Sequence, residues 1–388
     1  MSVNSNFLDG SYASIIVQTT LECNMRCKHC YEAKQNYVHS RMSYETLEKL
    51  ISFYLRNYKR VDFNWFGGEP LLSGIDFFKK VVELENKYNN GNAIRNFLQT
   101  NGLLCTGKYL DFLIDNHFVF SFSYDGKYNG VLREKTELVE AHMAEAKSKG
   151  YNVPVISVIN NKNIRYIIDL YEDLKSRDIP FQFNAIFKMK NSSLLSPFLM
   201  SDEEYISGFK GLFEHWVYDK DAVAFSPLSK YVLNILGYSK GRICEMVGCL
   251  YKWVSVSPSG DIYNCTRFFE DRFRLVNINN VESIKDIYES PKYEDIVRET
   301  IQRRKKCKEM CELYRYCNGG ANCHSYNENG SLLEEDTQMC RFIKAFFPYV
   351  INRLDQIVYN GEIGNVNSWL RCHLISSKRY ESFFKKTN

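Results

Sequence analysis

Six strand-like segments alternate with amphipathic segments over the first half of the chain, and this alternation constrains the fold more than any other feature. The strand candidates are short and rich in β-branched and aromatic residues. They lie at Tyr12–Thr20, Val61–Phe66, Ile94–Gln99, Val119–Tyr124, Val153–Ile159 and Phe181–Phe187. Because βα units in series imply parallel strands with right-handed crossovers, we predict an α/β fold that begins with a partial (β/α)6 barrel.

The segments between the strands carry apolar residues at helical spacing. One predicted helix starts after Ser43, a suitable N-cap, and another ends at Gly150, a suitable residue after a helix C-terminus. In the first of these helices, four apolar residues are expected on one buried face: Leu47, Leu50, Ile51 and Tyr54.

Cysteine spacing and one hairpin dominate the second half. Residues 252–265 show apolar alternation on each side of the turn Pro258–Asp261, which predicts a β-hairpin. We predict four regions: a barrel at 1–200, a helical bridge at 201–243, a small cysteine-rich α+β domain at 244–345, and a C-terminal helix and tail at 346–388.

Composition excludes several classes of protein. The net charge of +4 is too small to indicate nucleic-acid binding, and the chain has no apolar run long enough to span a membrane. The N-terminus lacks the basic and apolar regions of a signal peptide, so a cytoplasmic location is expected. Thirteen cysteines in a reducing compartment favour metal or redox chemistry over disulfides. The isolated Cys105 and Cys372 are interpreted as buried apolar residues or spare thiols.

Three cysteines follow the first strand with the spacing C-x3-C-x2-C: Cys23, Cys27 and Cys30. Chemistry in a βα barrel gathers at the C-terminal ends of the strands, where "GGEP", "QTNG" and "SYDG" follow the next three strands. Three thiolates can hold three corners of a [4Fe–4S] cluster and leave the fourth iron open. A structural zinc site needs a fourth ligand, and the only nearby candidate, His29, lies between Lys28 and Cys30 in a short loop.

These motifs resemble the radical S-adenosylmethionine (SAM) superfamily. The resemblance implies that the open iron binds SAM and that reductive cleavage of SAM yields a 5′-deoxyadenosyl radical, which abstracts a hydrogen atom from the substrate. It also implies SAM contacts by Gly67, Gly68 and Glu69 of the "GGEP" loop. Further cofactor-binding residues implied by the resemblance are Tyr31, Asn101, Ser123 and Arg133. Arg133 can alternatively be read as a solvated residue at the start of a helix.

The later cysteines resemble the SPASM domain, which carries two auxiliary [4Fe–4S] clusters. The resemblance assigns Cys244, Cys249, Cys265 and Cys323 to the first auxiliary cluster, and Cys307, Cys311, Cys317 and Cys340 to the second. Two spacings differ from the usual pattern, x3 between Cys307 and Cys311 and x5 between Cys317 and Cys323. From spacing alone, the eight cysteines also suit a pair of zinc ribbons.

The layout is most similar to the anaerobic sulfatase-maturing enzymes, which oxidise a Cys or Ser of a partner protein to formylglycine. In those enzymes an Asp that serves as the base follows the third cysteine of the first auxiliary set, whereas this chain has Thr266 there. A threonine hydroxyl is no general base at neutral pH without a partner. The catalytic base is therefore unknown.

Several reactions remain open. Fully ligated auxiliary clusters favour electron transfer and hence a net oxidation, such as a thioether or carbon–carbon crosslink in a ribosomal peptide or protein. The alternatives are a formylglycine-forming enzyme with another base, a peptide epimerase using Cys105 or Cys372 as hydrogen donor, and a non-enzymatic iron–sulfur electron carrier.

Expected partners are the peptide or protein substrate, an external reductant such as flavodoxin or ferredoxin, and a separate leader-peptide-binding protein. No nucleic acid or membrane partner is expected. The basic, aromatic tail at 360–388 either packs as a terminal helix or touches the peptide.

Overall fold

The computed structural model describes residues 9–34, 40–129, 132–190, 193–238, 243–247, 250–251, 253–268 and 270–387. The chain forms two compact units. The first unit comprises 1–124, 130–154 and 249–302, and the second comprises 125–129, 155–248 and 303–388.

Seven strands in the first unit form a sheet in the order β4-β3-β2-β1-β7-β8-β9. The pairs from β4 to β7 are parallel, and β8 and β9 are antiparallel to their neighbours. The strands are β1 Tyr12–Gln18, β2 Arg60–Phe66, β3 Ala93–Thr100, β4 Val119–Ser123, β7 Val254–Val256, β8 Asp261–Tyr263 and β9 Arg274–Asn277. The predicted hairpin is confirmed as β7 and β8.

In the first unit, α1 Tyr44–Asn57, α2 Ile75–Tyr88 and α3 Gly107–Asp115 connect successive strands from β1 to β4. Two further helices, α4 Thr136–Ser148 and α9 Ile284–Tyr288, follow β4 and β9. The Ser43 side chain accepts a hydrogen bond from the Thr46 backbone, which confirms the predicted N-cap of α1. Leu47, Leu50, Ile51 and Tyr54 are fully buried, so the predicted apolar face is also confirmed.

In the second unit, β5 (Val155–Ile159) pairs in parallel with β6 (Phe181–Ala185). The six predicted strands thus all exist, and every observed end lies within two residues of the predicted one. The largest differences, of two residues, are at Thr20, Val153 and Phe187. Helix α10 (Pro291–Met310) begins in the first unit and ends in the second. The other helices of the second unit are α5 Ile167–Ser176, α6 Asp202–Tyr218, α7 Leu228–Ile235, α8 Cys244–Val247, α11 Tyr314–Cys317, α12 Asn322–Asn329, α13 Gln338–Tyr359, α14 Ser368–Ile375 and α15 Glu381–Thr387.

Aromatic side chains join α6 to α13. Tyr205 stacks on Phe342 with 4.2 Å between ring centroids, and Phe209 meets Phe346 edge to face. In the tail, Trp369 packs against Trp216 of α6 at 5.3 Å. This part of the tail is therefore built into the core of the second unit. None of the helices in the described ranges has both the length and the apolar character needed to cross a membrane.

Candidate active site and iron–sulfur centres

The three cysteines of the first motif lie on one loop that starts where β1 ends. The amide of Met25 donates to Cys23 Sγ at 3.4 Å, and the amide of Cys30 donates to the carbonyl of Cys27 at 3.2 Å. Burial, with smaller contributions from the nearby Glu32, Cys27 and Cys23, raises the pKa of the Cys30 thiol to about 12. Cys23 and Cys27 are therefore near neighbours of Cys30 on this loop.

The "GGEP" loop lies directly against the cysteine loop. The amide of Gly68 donates to the carbonyl of Thr20 at 2.9 Å, and the amide of Glu69 donates to the carbonyl of Glu22 at 2.7 Å. A Cβ on Gly68 would stand 2.2 Å from the Glu22 carbonyl oxygen, closer than any real contact. This close backbone approach explains why glycine is needed at position 68.

Glu69 is fully buried, and its carboxylate connects the ends of β2 and β3. It accepts hydrogen bonds from Thr100 Oγ1 at 2.7 Å, the amide of Asn101 at 2.7 Å and the amide of Leu71 at 3.1 Å. Burial nevertheless raises the pKa of Glu69 to about 7, and the three hydrogen bonds act in the opposite direction. A carboxylate has about four acceptor positions, so about one remains for a ligand.

Asn101 and Arg133 contact the cysteine loop from two other segments. Asn101 Nδ2 donates to Asn24 Oδ1 at 2.7 Å and lies 3.7 Å from Cys23 Sγ. Arg133 is 8% exposed, and its guanidinium lies 3.7 Å from Cys27 Sγ and 3.4 Å from His29 Nε2. Arg133 is thus a buried neighbour of the motif instead of a solvated residue at a helix start.

Ser123 ends β4, where its hydroxyl accepts a hydrogen bond from Gln99 Nε2 at 3.0 Å. Its predicted contact with SAM stays a prediction, because the structure shows it paired with the neighbouring strand end. Of the predicted cofactor-binding residues, the structure brings Gly67, Gly68, Glu69, Asn101 and Arg133 against the cysteine loop.

Tyr31, next to Cys30, lies near Thr266, the residue at the position where the resemblance implies an acid. Burial holds the pKa of the Tyr31 hydroxyl well above its ordinary value, the neighbouring Glu32 acts in the same direction, and the Thr266 hydroxyl acts in the opposite one. The adjacent Glu32 is buried and lies within 3.4 Å of Gln18 Nε2. Sequence reasoning does not single out Glu32, although a charged residue directly after the motif, in a segment that must pack inward, is a usable signal.

The four cysteines predicted for the second auxiliary cluster line one cavity of about 150 Å³. Cys307 lies near the end of α10, Cys311 follows that helix, Cys317 ends α11, and Cys340 lies in the first turn of α13. The pKa of Cys307 is raised to about 11, chiefly by burial; the neighbouring Cys317 acts in the same direction and Arg303 in the opposite one. The cavity suits a polynuclear group better than a single ion.

Arg303 is 1% exposed and lines the same cavity. Its guanidinium donates to the carbonyls of Gly319, Gly320 and Leu332 and to Asn322 Oδ1, at 2.6–3.3 Å. It therefore braces the segment after Cys317 and places a positive charge beside the thiols. Sequence reasoning misses this residue, because "RRKK" is typical of a solvated basic run.

The first auxiliary set is divided between the two units. Cys265 lies in the first unit after β8, whereas Cys244 and the buried Cys323 lie in the second. Cys249 lies outside the described residues. This ligand set stays a prediction. Of the two isolated cysteines, Cys105 is fully buried and Cys372 is exposed on α14.

The donor atoms fit iron–sulfur clusters. Each cysteine group offers several soft sulfur donors, three on the loop after β1 and four around the cavity, which His324, Glu334 and Glu335 also line. Among the described residues, no three His, Cys, Asp or Glu side chains are close enough to hold a single ion.

Comparison with known proteins agrees with this chemistry. Residues 17–174 match the radical SAM superfamily, and residues 244–318 match the SPASM iron–sulfur cluster-binding domain. The cysteine-type anaerobic sulfatase-maturating enzyme of Clostridium perfringens is 28% identical over 360 residues, which cover 87% of this chain and 96% of the relative. The serine-type enzyme of Bacteroides thetaiotaomicron is 26% identical over 367 residues, covering 86% and 88%.

Solved structures show the same architecture. The structure of anSMEcpe with bound AdoMet and peptide superimposes with a TM-score of 0.78 at 25% identity, covering 90% of this chain and 99% of that one. Streptococcus suis SuiB, bound to precursor peptide SuiA, shares the fold with a TM-score of 0.64 at 15% identity, covering 85% and 76%.

The fold and the two matched domains define an iron–sulfur enzyme that uses SAM. The chain is a radical SAM enzyme of the SPASM type, with SAM, a SAM-binding [4Fe–4S] cluster and auxiliary iron–sulfur clusters as its cofactors. The predicted fold class, a partial (β/α)6 barrel followed by a cysteine-rich domain, is confirmed. A pure electron carrier is thereby excluded.

Proposed function

We propose that this enzyme oxidises a residue of a ribosomal peptide or protein substrate. Support comes from relatives that match along more than four fifths of the chain and are named as sulfatase-maturating enzymes. A structure with a TM-score of 0.78 to this chain holds a peptide together with AdoMet. The reaction then takes place in the reducing cytoplasm, where the cluster cysteines remain thiolates.

In this proposal Cys23, Cys27 and Cys30 hold the SAM-binding cluster. When bound, the cluster and SAM supply the 5′-deoxyadenosyl radical that removes a hydrogen atom from the substrate. Arg133 pairs with the SAM carboxylate, since it is the buried cation beside Cys27. The remaining acceptor position of Glu69 receives the amino group, directly beside the loop that holds the cluster.

Asn101 positions the cysteine loop through its contacts with Asn24 and Cys23, and it orients the ribose from the same place. Tyr31, which lies near Thr266, packs beside the adenine. Ser123 completes the SAM contacts from the end of β4. The eight later cysteines would ligate two auxiliary clusters fully, and bound clusters would supply an acceptor for the electron that a net oxidation releases.

We propose that the product is a thioether or carbon–carbon crosslink. The observation that carries this choice is the buried threonine at position 266. It places a neutral hydroxyl at the position where the resemblance to the sulfatase-maturing enzymes leads one to expect the carboxylate base. Formylglycine formation is the second candidate, favoured by the cysteine-type and serine-type relatives, and it requires a base elsewhere in the site.

The test starts with anaerobic reconstitution, which should give about twelve irons per chain and reductant-dependent cleavage of SAM to 5′-deoxyadenosine. The enzyme is then incubated with peptides encoded next to its gene and with sulfatase peptides carrying the target Cys or Ser. Mass spectrometry that shows loss of two hydrogen atoms and a new internal bond supports the crosslink. Conversion of the thiol or hydroxyl to an aldehyde would establish the second candidate instead. Deuterium uptake without a mass change in ordinary water would indicate epimerisation and overturn both.

A further inference from the structure

Arg303 combines deep burial with a full positive charge. Its side chain is 1% exposed. Four of its hydrogen bonds go to uncharged oxygens, the carbonyls of Gly319, Gly320 and Leu332 and the side-chain amide of Asn322. An uncharged amide could donate to oxygens of this kind without the cost of taking a guanidinium out of water. These four hydrogen bonds therefore do not by themselves explain why a charge is buried here.

The position of Arg303 connects its charge to the second group of thiols. Arg303 precedes Cys307 by four residues on α10, so the two side chains lie on one face of the helix. Both residues line the cavity of about 150 Å³, together with Cys311, Cys317 and Cys340. Arg303 acts to lower the pKa of the Cys307 thiol, so its charge is felt at that sulfur. The guanidinium thus lies beside the sulfur atoms that would hold the second auxiliary cluster.

The other charged residues of the cavity lie nearer to solvent. Five arginine, lysine and glutamate residues line it, and Arg303 is the only buried one among these five. Lys306, Glu334 and Lys344 are exposed, and the half-buried Glu335 lies 2.8 Å from Lys306. Water and salt screen charges at the surface, whereas a buried charge acts through a medium of lower permittivity. Of the five charges, that of Arg303 should therefore act most strongly inside the cavity.

A buried cation in this place has a direct effect on a bound iron–sulfur cluster. A [4Fe–4S] cluster held by four thiolates is negatively charged, and its negative charge grows by one when it takes up an electron. A fixed positive charge beside the cluster therefore stabilises the reduced form more than the oxidised form. Net charge and hydrogen bonds to the sulfurs are among the properties that set the reduction potentials of such clusters.

We propose that Arg303 raises the reduction potential of the second auxiliary cluster, so that this cluster accepts one electron more readily than it would beside an uncharged residue. Arg303 is then a residue that tunes the cluster, in addition to holding the segment after Cys317. The inference rests on the ligand set of the proposed function, Cys307, Cys311, Cys317 and Cys340. It is independent of which product the enzyme forms.

The first test changes the partner of Arg303 and keeps Arg303 itself. Asn322 Oδ1 accepts a hydrogen bond from Arg303 Nη2 at 2.8 Å, and Asn322→Asp puts a carboxylate in the same place. A carboxylate beside a guanidinium remains ionised, so it keeps the hydrogen bond and offsets the positive charge. The potential is measured by an anaerobic redox titration of the full-length, cluster-loaded enzyme, followed by electron paramagnetic resonance. The equilibrium constant for one-electron reduction of the second auxiliary cluster should fall at least about tenfold, which corresponds to about 59 mV.

Three further variants make the measurement specific. Asn329→Asp adds the same charge at the exposed end of the same helix, α12, and should leave the potential unchanged because water screens it. The resonance signal of the second auxiliary cluster is identified as the one that is missing from Cys311→Ala. Arg303→Gln removes the charge and keeps an amide donor, and the fraction of this cluster that it retains should show the same downward shift as Asn322→Asp.

Four results would overturn the inference. An unchanged potential in Asn322→Asp at full iron content, or in the cluster that Arg303→Gln retains, would show that Arg303 is a structural brace alone. An equal shift in Asn329→Asp would show that the effect is not specific to the charge of Arg303. An unchanged iron content in Cys311→Ala would overturn the ligand set and the inference with it. Formation of an aldehyde instead of a crosslink overturns only the preferred product of the proposed function, and the predicted potential shift then still holds.

Discussion

Glu85, in the middle of the interior face of α2, should destabilise the protein when it is ionised. The residue is 7% exposed, and one carboxylate oxygen accepts a hydrogen bond from Asn96 Nδ2 at 2.9 Å. Asn96 in turn accepts one from Trp65 Nε1 at 2.7 Å. Among the described residues, the other carboxylate oxygen, Oε1, has no hydrogen-bond partner. A buried charge with a single donor is costly.

The size of this effect follows from the pKa of Glu85. Burial raises it from 4.5 to about 7, while the hydrogen bond from Asn96 acts in the opposite direction. The difference corresponds to about 3 kcal/mol, to order of magnitude. Because the folded state holds the proton more tightly than the unfolded state, the stability is fully present below pH 4.5 and falls as the pH rises towards about 7.

Glu85→Gln keeps the shape of the protonated acid and cannot ionise. The variant should therefore be more stable than the unaltered protein at alkaline pH, and the gain should grow by about 1 kcal/mol between about pH 6 and about pH 8.5. Anaerobic urea unfolding of the cluster-loaded protein at the two pH values measures the difference. Glu83→Gln, on the exposed side of α2, is the matched control and should show no such growth. A gain for Glu85→Gln that is independent of pH would refute the reasoning.

Three further predictions concern the site and its frame. Gly68→Ala should abolish formation of 5′-deoxyadenosine, because the added Cβ would displace the Glu22 carbonyl and with it the cysteine loop; Gly211→Ala, where a Cβ meets nothing, should be active. Arg303→Met should lower the iron content by about four per chain, because Arg303 donates hydrogen bonds to the segment after Cys317. Lys305→Met is the control, and equal iron content in both variants would show that these hydrogen bonds are dispensable. Ser201→Ala should reduce the free energy of unfolding by about 1 kcal/mol by removing the capping box of α6, and an unchanged urea midpoint would contradict this.

The strands and helices of the barrel region were predictable because their signals are local. Alternation and helical spacing identify β1 to β6 and the apolar face of α1 from neighbouring residues alone. The hairpin of β7 and β8 follows from its turn in the same way. The parallel pairing of β7 with β1, in which Ile15 lies opposite Val254, joins residues more than two hundred positions apart, and nothing in the sequence near either strand records it.

The same distinction between local and long-range signals applies to the candidate site. Spacing identifies Cys23, Cys27 and Cys30 as a group, because three ligands on one short loop need no long-range information. The grouping of Cys307, Cys311 and Cys317 with Cys340 could be expected only by resemblance, and the cavity they line becomes visible only in the fold. The sequence context of Arg133 is compatible with either a solvated or a buried side chain. Its burial depends on the packing of the residues before α4 against the cysteine loop.

The sequence by itself determined the order of the βα units, the cysteine motif and the class of chemistry, because each depends on residue types at short spacings. Only the tertiary structure decided that Glu69 joins two strand ends and that Arg303 is buried beside the thiols. The physical reason is that burial and electrostatic environment depend on segments brought together from distant parts of the chain. A glutamate, an arginine or a lysine has the same letter on the surface and in the interior, and its chemistry differs between the two.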